Sequence, residues 1–182
     1  MSIHNPPRYR YFLHDEWDKK AFNYLKELGA RKQYPKIMGT SDDKNQFLRI
    51  LIRTQKALHH WSDMLKDVLQ QIEESNVIDT VSLNQKYPPE SIGKDVPAWV
   101  TYEDDKTVNC FIDELEARKI TFQGTDDEIT EFVVRFILGQ LGVDWEQTIL
   151  MIWEMLGKGN NLSIKELNKE MKNFDYIRLF EK

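Results

Sequence analysis

A single cysteine, Cys110, stands in the 182 residues, so no internal disulfide can form. Cysteine this scarce fits a reducing compartment, with Cys110 expected as a partly buried helix residue rather than a nucleophile. The opening MSIHNPPRYRYF lacks the apolar core of a signal peptide. The most apolar run, from Phe132 to Leu141, is broken by Arg135 and Gln140 and is too short to cross a bilayer. A cytoplasmic protein with no membrane segment is therefore expected. No P-loop, dinucleotide fingerprint, metalloprotease motif or nucleophile elbow occurs, which removes the usual support for most enzyme classes, and no cofactor or metal site is expected. Internal repeats, low-complexity tracts and long linkers are likewise not seen.

What is present describes a folded chain. A hydrophobic share of 41% and a charged share of 30% are ordinary for a globular protein, and 12% aromatics argue against disorder. The length suits one domain over 1–182, divisible into a basic helical part (1–75), a mixed part (76–124) and a helical part (125–182). Lysine outnumbers arginine 17 to 8, and Asn and Ile are plentiful, as in AT-rich bacterial or phage genomes.

The strongest periodic signal runs from about 42 to 75. Alternating steps of four and three from Phe47 reach Leu51, Thr54, Leu58, Trp61, Leu65, Val68 and Ile72, a single helical face on which only Thr54 is polar. The spacing predicts one long helix, started by Thr40, Ser41 or Asp42 as N-cap. Ahead of it lie an extended arm over residues 1–13, a helix from Asp15 to about Leu28, and a basic loop, Arg31 to Lys36. Behind it, the β-branched run Val77–Leu83, then Trp99–Tyr102 and Ile120–Phe122, predict short strands of one small sheet within 77–124. A helix is expected from Asp104 or Asp105 to about Lys119. Thr125 with Glu128, Asp144 with Gln147 and Ser163 with Glu166 read as three capping pairs opening three further helices. The fold class is mainly α, with α+β as the alternative.

Several constellations carry chemistry. Leu138-Gly139-Gln140-Leu141-Gly142-Val143 followed by Thr148-Ile149 resembles the turn of a helix-turn-helix. The would-be recognition helix, 144–156, has Asp144, Glu146 and Glu154 and no Lys or Arg, so two packed core helices are the favoured reading. Asp104-Asp105-Lys106 has the spacing of a metal-dependent nuclease, with Asp79 or Asp95 upstream, but such short charged patterns arise readily by chance. His59-His60 with Asp63 offers too few ligands for zinc.

Charge is the most uneven property. Residues 1–56 hold 12 Lys/Arg and six Asp/Glu, a balance of +6, whereas residues 103–154 hold four and 13, a balance of −9. Such a split speaks to partners. The basic arm, Arg8, Tyr9, Arg10, Tyr11, Arg31, Lys32 and Lys36, interleaves cations with aromatics as nucleic-acid binders do. The acidic face, Asp113, Glu116, Asp126, Asp127, Glu128 and Glu131, could occupy a basic groove on a protein partner as a mimic of phosphates. Small size, acidity, phage-like composition and missing catalytic motifs together resemble the anti-CRISPR proteins, a similarity of general character that no single motif carries. That resemblance implies a non-enzymatic inhibitor whose partner is a Cas9-type effector with its guide RNA. The alternatives are a nucleic-acid-binding regulator and a metal-dependent nuclease.

Overall fold

The computed structural model of the chain describes residues 34–54, 58–88, 103–142 and 159–171, together with Asn23, Ile152 and Glu154. In chain order these residues form β1 (Lys36–Met38), α1 (Ser41–Arg53), α2 (Leu58–Ser75), β2 (Val77–Asp79), α3 (Thr80–Lys86), α4 (Glu103–Ala117), β3 (Thr121–Gln123), α5 (Asp126–Gly142), β4 (Asn161–Ser163) and α6 (Ile164–Met171). The described part is mostly helical, with two small parallel sheets.

The apolar stripe is core: Phe47, Leu51, Leu65, Val68 and Ile72 are buried, while the side chains of Leu58 and Trp61 lie outside the described ones. A single long helix is not shown, and residues 55–57 fall outside the described ones. The stretch divides into α1 and α2, and α1 ends at its one polar stripe residue. The buried Thr54 hydroxyl donates to Leu51 O at 2.6 Å, and its amide donates to Ile50 O as the C-cap. A hydroxyl that bonds back to the preceding turn bends or weakens a helix.

The expected single sheet within 77–124 is also corrected. β2 pairs in parallel with β1, Ile37 opposite Ile78, in a stretch read as basic loop. β3 pairs in parallel with β4, Phe122 opposite Leu162, in a stretch read as turn and cap. The run beyond Asp79 is helix, because the Asp79 carboxylate accepts from the amides of Val81 and Ser82 and opens α3. Residues 99–102, most of the helix expected from Asp144 (Ile152 and Glu154, both helical, excepted) and most of the helix-turn-helix candidate fall outside the described residues. Within that candidate, α5 passes through Gly139 and extends to Gly142. Cys110, on α4, is exposed rather than partly buried.

Both sheets are built alike. Gly39-Thr40 follows β1 and Gly124-Thr125 follows β3. Each threonine opens the next helix with a reciprocal capping box, Thr40 with Asp43 and Thr125 with Glu128. Each second strand leads directly into a short helix, with Ser163 accepting from Glu166 N as Asp79 accepts from Val81 and Ser82. The short helix α3 packs on α1 as α6 packs on α5. An internal repeat, not seen in the sequence, is thus present in the fold. It hides there because the shared residues are caps and turns, while the apolar positions exchange freely among Leu, Val, Ile and Phe.

Both glycines are required by close approach. A Cβ at Gly39 would stand 2.2 Å from Thr80 Oγ1, and one at Gly124 would stand 2.9 Å from Ile164 Cβ. Gly39 also has a φ of +131°, which side-chain-bearing residues rarely adopt. Gly124→Ala is therefore expected to cost about 1–3 kcal/mol through overpacking, and Gly39→Ala more, because strain adds to the clash. Denaturant titration of the two variants measures both, and equal wild-type midpoints would mean the strand–helix corners are slack.

Candidate acidic face and its internal partners

The acidic residues divide according to what they touch. Glu116, on the α4 face turned toward α1, accepts from Arg49 Nε at 2.9 Å and from Lys119 Nζ at 2.6 Å. Glu131 pairs with Arg135 at 2.9 Å one turn along α5. Glu128 serves the capping box. Asp126, at the start of α5, binds Lys44 Nζ at 2.7 Å and so ties the first turn of α5 to the first turn of α1. Asp113 is half exposed, 4.0 Å from Arg53 Nη1. Of the six acidic residues picked from sequence, Asp127 is exposed and its carboxylate has no partner among the described residues, while its carbonyl accepts from Thr130 Oγ1 at 3.1 Å.

Joining the two helix starts brings in acids outside the six picked from sequence. Asp42 and Asp43 occupy the first turn of α1, as Asp126, Asp127 and Glu128 occupy that of α5. Asp42 is the counterpart of Asp127 and is likewise exposed and without a partner among the described residues. Asp42, Asp126 and Asp127 thus belong to two helix starts joined by the Lys44–Asp126 pair, with Asp113 on α4 near Arg53 of α1. Their signal in the sequence was the repeated Gly-Thr followed by acids at 39–43 and 124–128.

Part of the charge split closes inside the molecule. Lys44, Arg49 and Arg53, from the basic segment, face Asp126, Glu116 and Asp113, from the acidic one. Arg49 and Arg53 are both buried, at 8% exposure, among the apolar residues of α1. Arg49 is well satisfied, since its Nη1 also donates to Ile120 O at 3.0 Å. The Nε of Arg53 has no hydrogen-bond partner among the described residues.

Of the basic arm, Arg8, Tyr9, Arg10, Tyr11, Arg31 and Lys32 lie outside the described residues. Lys36 lies on β1, its side chain exposed and its amide bonded to Asn76 O at 3.0 Å. Tyr87 is buried, and its hydroxyl donates to Asp67. Burial, that hydrogen bond and the charges of Asp67 and Asp63 push the phenol well above its ordinary range. Asp79, an upstream acid for the nuclease reading, is engaged as the N-cap of α3. No cluster of three His, Cys, Asp or Glu able to hold a metal occurs among the described residues. No helix among them is long and apolar enough to cross a membrane.

A polar cleft of about 270 Å³ opens between α2 and α3, lined by Asp67, Gln70, Gln71, Glu74, Ser82 and Lys86. Its groups satisfy one another. Gln71 accepts from Asp79 N and donates to Ser82, Gln70 donates to Glu74, and Lys86 pairs with Asp67 at 2.8 Å. The cleft offers a ligand few free partners. The chain matches no protein-family model, no curated protein and no solved structure.

The Glu116 carboxyl is the one acid here with a resolved downward shift. Burial acts to raise it, but the hydrogen bonds from Lys119 and Arg49 outweigh burial and hold it below the usual 4.5. A depressed folded-state pKa contributes stability that is present above the unfolded value and is lost as pH falls through the folded one. Glu116→Gln is therefore expected to lower stability at neutral pH and to flatten its decline below about pH 4.5. Glu116→Ala, which strands Arg49, should cost about 3 kcal/mol, and Arg49→Met with Glu116→Leu should recover most of it. Melting curves from pH 3 to 7 test this, and a double variant no better than the single would show that the pair acts otherwise.

Proposed function

We propose that this protein is a non-enzymatic interaction protein that binds and inhibits a bacterial nucleic-acid-processing effector, most specifically a Cas9-type nuclease carrying its guide RNA. On this reading it works in the bacterial cytoplasm and belongs to a phage or mobile element. The observation that supports it is the pair of exposed carboxylates without a partner among the described residues, Asp42 and Asp127, on helix starts bridged by Lys44 and Asp126. Acids that serve only the interior are paired or capping, as Glu116, Glu128 and Glu131 are. Acids left free on one face keep their full field for a basic surface, and the channel of a Cas9-type effector is basic. The face would compete with the phosphates of target DNA.

The experiment is cleavage of a target duplex by a purified, guide-loaded Cas9-type nuclease in the presence of increasing amounts of this protein. Cleavage should fall with dose. The Asp42→Lys, Asp127→Lys double variant should inhibit less, mainly through a slower association rate and most clearly at low salt, since exposed charges are screened beyond about 8 Å at physiological ionic strength. Uninhibited cleavage at saturating protein would sink the Cas9 assignment. Inhibition by the double variant equal to wild type would remove the acidic face from it.

A further inference from the structure

We infer that the chain is a tandem duplication whose two units pack as a fused dimer, each unit's capped helix covering the other unit's strand pair, so that the two fold as one cooperative body. The case for duplication is that corresponding residues make the same bonds to corresponding partners. The first strand of each sheet begins with an amide bonded to an asparagine carbonyl: Lys36 N to Asn76 O at 3.0 Å, and Thr121 N to Asn160 O at 2.7 Å. In each short helix an asparagine side chain reaches back to the helix start. Asn84 Nδ2 donates to Asp43 O and Asn168 Nδ2 to Glu128 O, both at 2.9 Å, and the two acceptors are the third residues of α1 and α5. The glycine before each capping threonine is packed against the first residue of the short helix, Thr80 or Ile164.

A shared imperfection is more telling than a shared optimum. The Oδ1 atoms of Asn84 and Asn168 are both buried without a hydrogen-bond partner among the described residues. A buried acceptor left unpaired is costly and uncommon, and nothing in the helical geometry requires it twice at corresponding places. The sequence extends the correspondence ahead of the strands: Glu27-Leu28-Gly29-Ala30-Arg31-Lys32 and Glu114-Leu115-Glu116-Ala117-Arg118-Lys119 differ at one position.

The packing between units is reciprocal. α5 packs on β1 and α1 packs on β3, each helix against the strand that opens the other unit. Reciprocal contacts of this kind define a twofold-related, isologous interface. Lys44 with Asp126 joins the two helix starts, and Asn45 Oδ1 accepts from Phe122 N at 2.5 Å, so α1 also holds the backbone of β3 by hydrogen bond. Neither strand pair has its full cover without the other unit. Unfolding one should therefore expose the other.

Hydrogen exchange on the full-length chain tests this, with Asn84→Leu and Asn168→Leu as variants that keep side-chain size and remove the amide without adding a charge. Each is expected to speed exchange about tenfold at the amides of all four strands, in both units alike. Acceleration confined to the altered unit would overturn the fused dimer. A large effect from one variant and none from the other would overturn the duplication. As a second measurement, a protease site is placed within residues 89–102 of the full chain and cut after folding. The two pieces should co-elute as one species and melt in one transition. Separation under native conditions, or two transitions, would refute the proposal.

Discussion

Two parallel strands of three residues each cannot hold themselves together. Parallel pairing is the weaker geometry, and an isolated two-stranded sheet is marginal even when antiparallel and longer. Every described feature around β1–β2 and β3–β4 answers that weakness. A glycine lets the short helix sit against the strand end, a threonine turns the chain directly into a capped helix, and an asparagine from the short helix pins the first turn of that helix. The strands are thus a clasp that fixes where helices begin. The apolar core, from Phe47 and Leu51 in α1 to Phe132 and Phe136 in α5, then follows from helix placement. The ring of Phe122 tilts against Phe132 at 6.2 Å between centroids, and Phe132 stacks on Phe136 at 5.8 Å, where β3 meets α5.

Charge has a different meaning in the fold than along the sequence. A +6 segment and a −9 segment look like two binding surfaces when read linearly. Folding lays α1 against α4 and the start of α5, so much of the opposition is spent internally, as Lys44–Asp126, Arg49–Glu116 and Arg53–Asp113. Among these the exposed carboxylate of Asp126 adds little stability in water. The Arg49–Glu116 pair, with its further bond to Ile120 O, adds orientation more than net energy. What remains for a partner is the smaller set that these pairs leave over.

Sequence patterns revealed what depends on local chemistry. The described members of the stripe from Phe47 to Ile72, the capping box at Thr125, the cap at Ser163 and the helix beginning near Asp104 were legible, because periodicity and capping are properties of neighbouring residues. Partnership between distant segments was not. Lys36 reads as the end of a basic loop, and Ile37-Met38 as its lead into the next helix, until Val77–Asp79 lies beside them, and no periodicity can emerge from three residues. Thr54 looked like a tolerable flaw in one helix, whereas its hydroxyl marks the boundary of two. The acidic face was half legible: its residue type could be read, but which acids are already engaged depends on the Arg and Lys that folding brings from about 70 residues away.

Comparison of the two units separates scaffold from specialisation without any other protein. Gly39 and Gly124, Thr40 and Thr125, Phe47 and Phe132, and Asn84 and Asn168 correspond and are unchanged; all belong to the clasp or the core beneath it. The positions corresponding to Arg49 and Arg53 are Val134 and Leu138. The buried Val134 shows that the scaffold does not need an arginine at the first of these places. Burying two guanidinium groups instead requires carboxylates opposite, which α4 supplies as Asp113 and Glu116. An ion-pair ladder on one side of an otherwise matched arrangement makes the two helices non-interchangeable. Such polar devices can fix register where apolar packing alone would accept several alternatives. The ladder thus distinguishes two units that the clasp treats as equal, and it leaves the matched acids Asp42 and Asp127 as the part of the repeat still facing solvent.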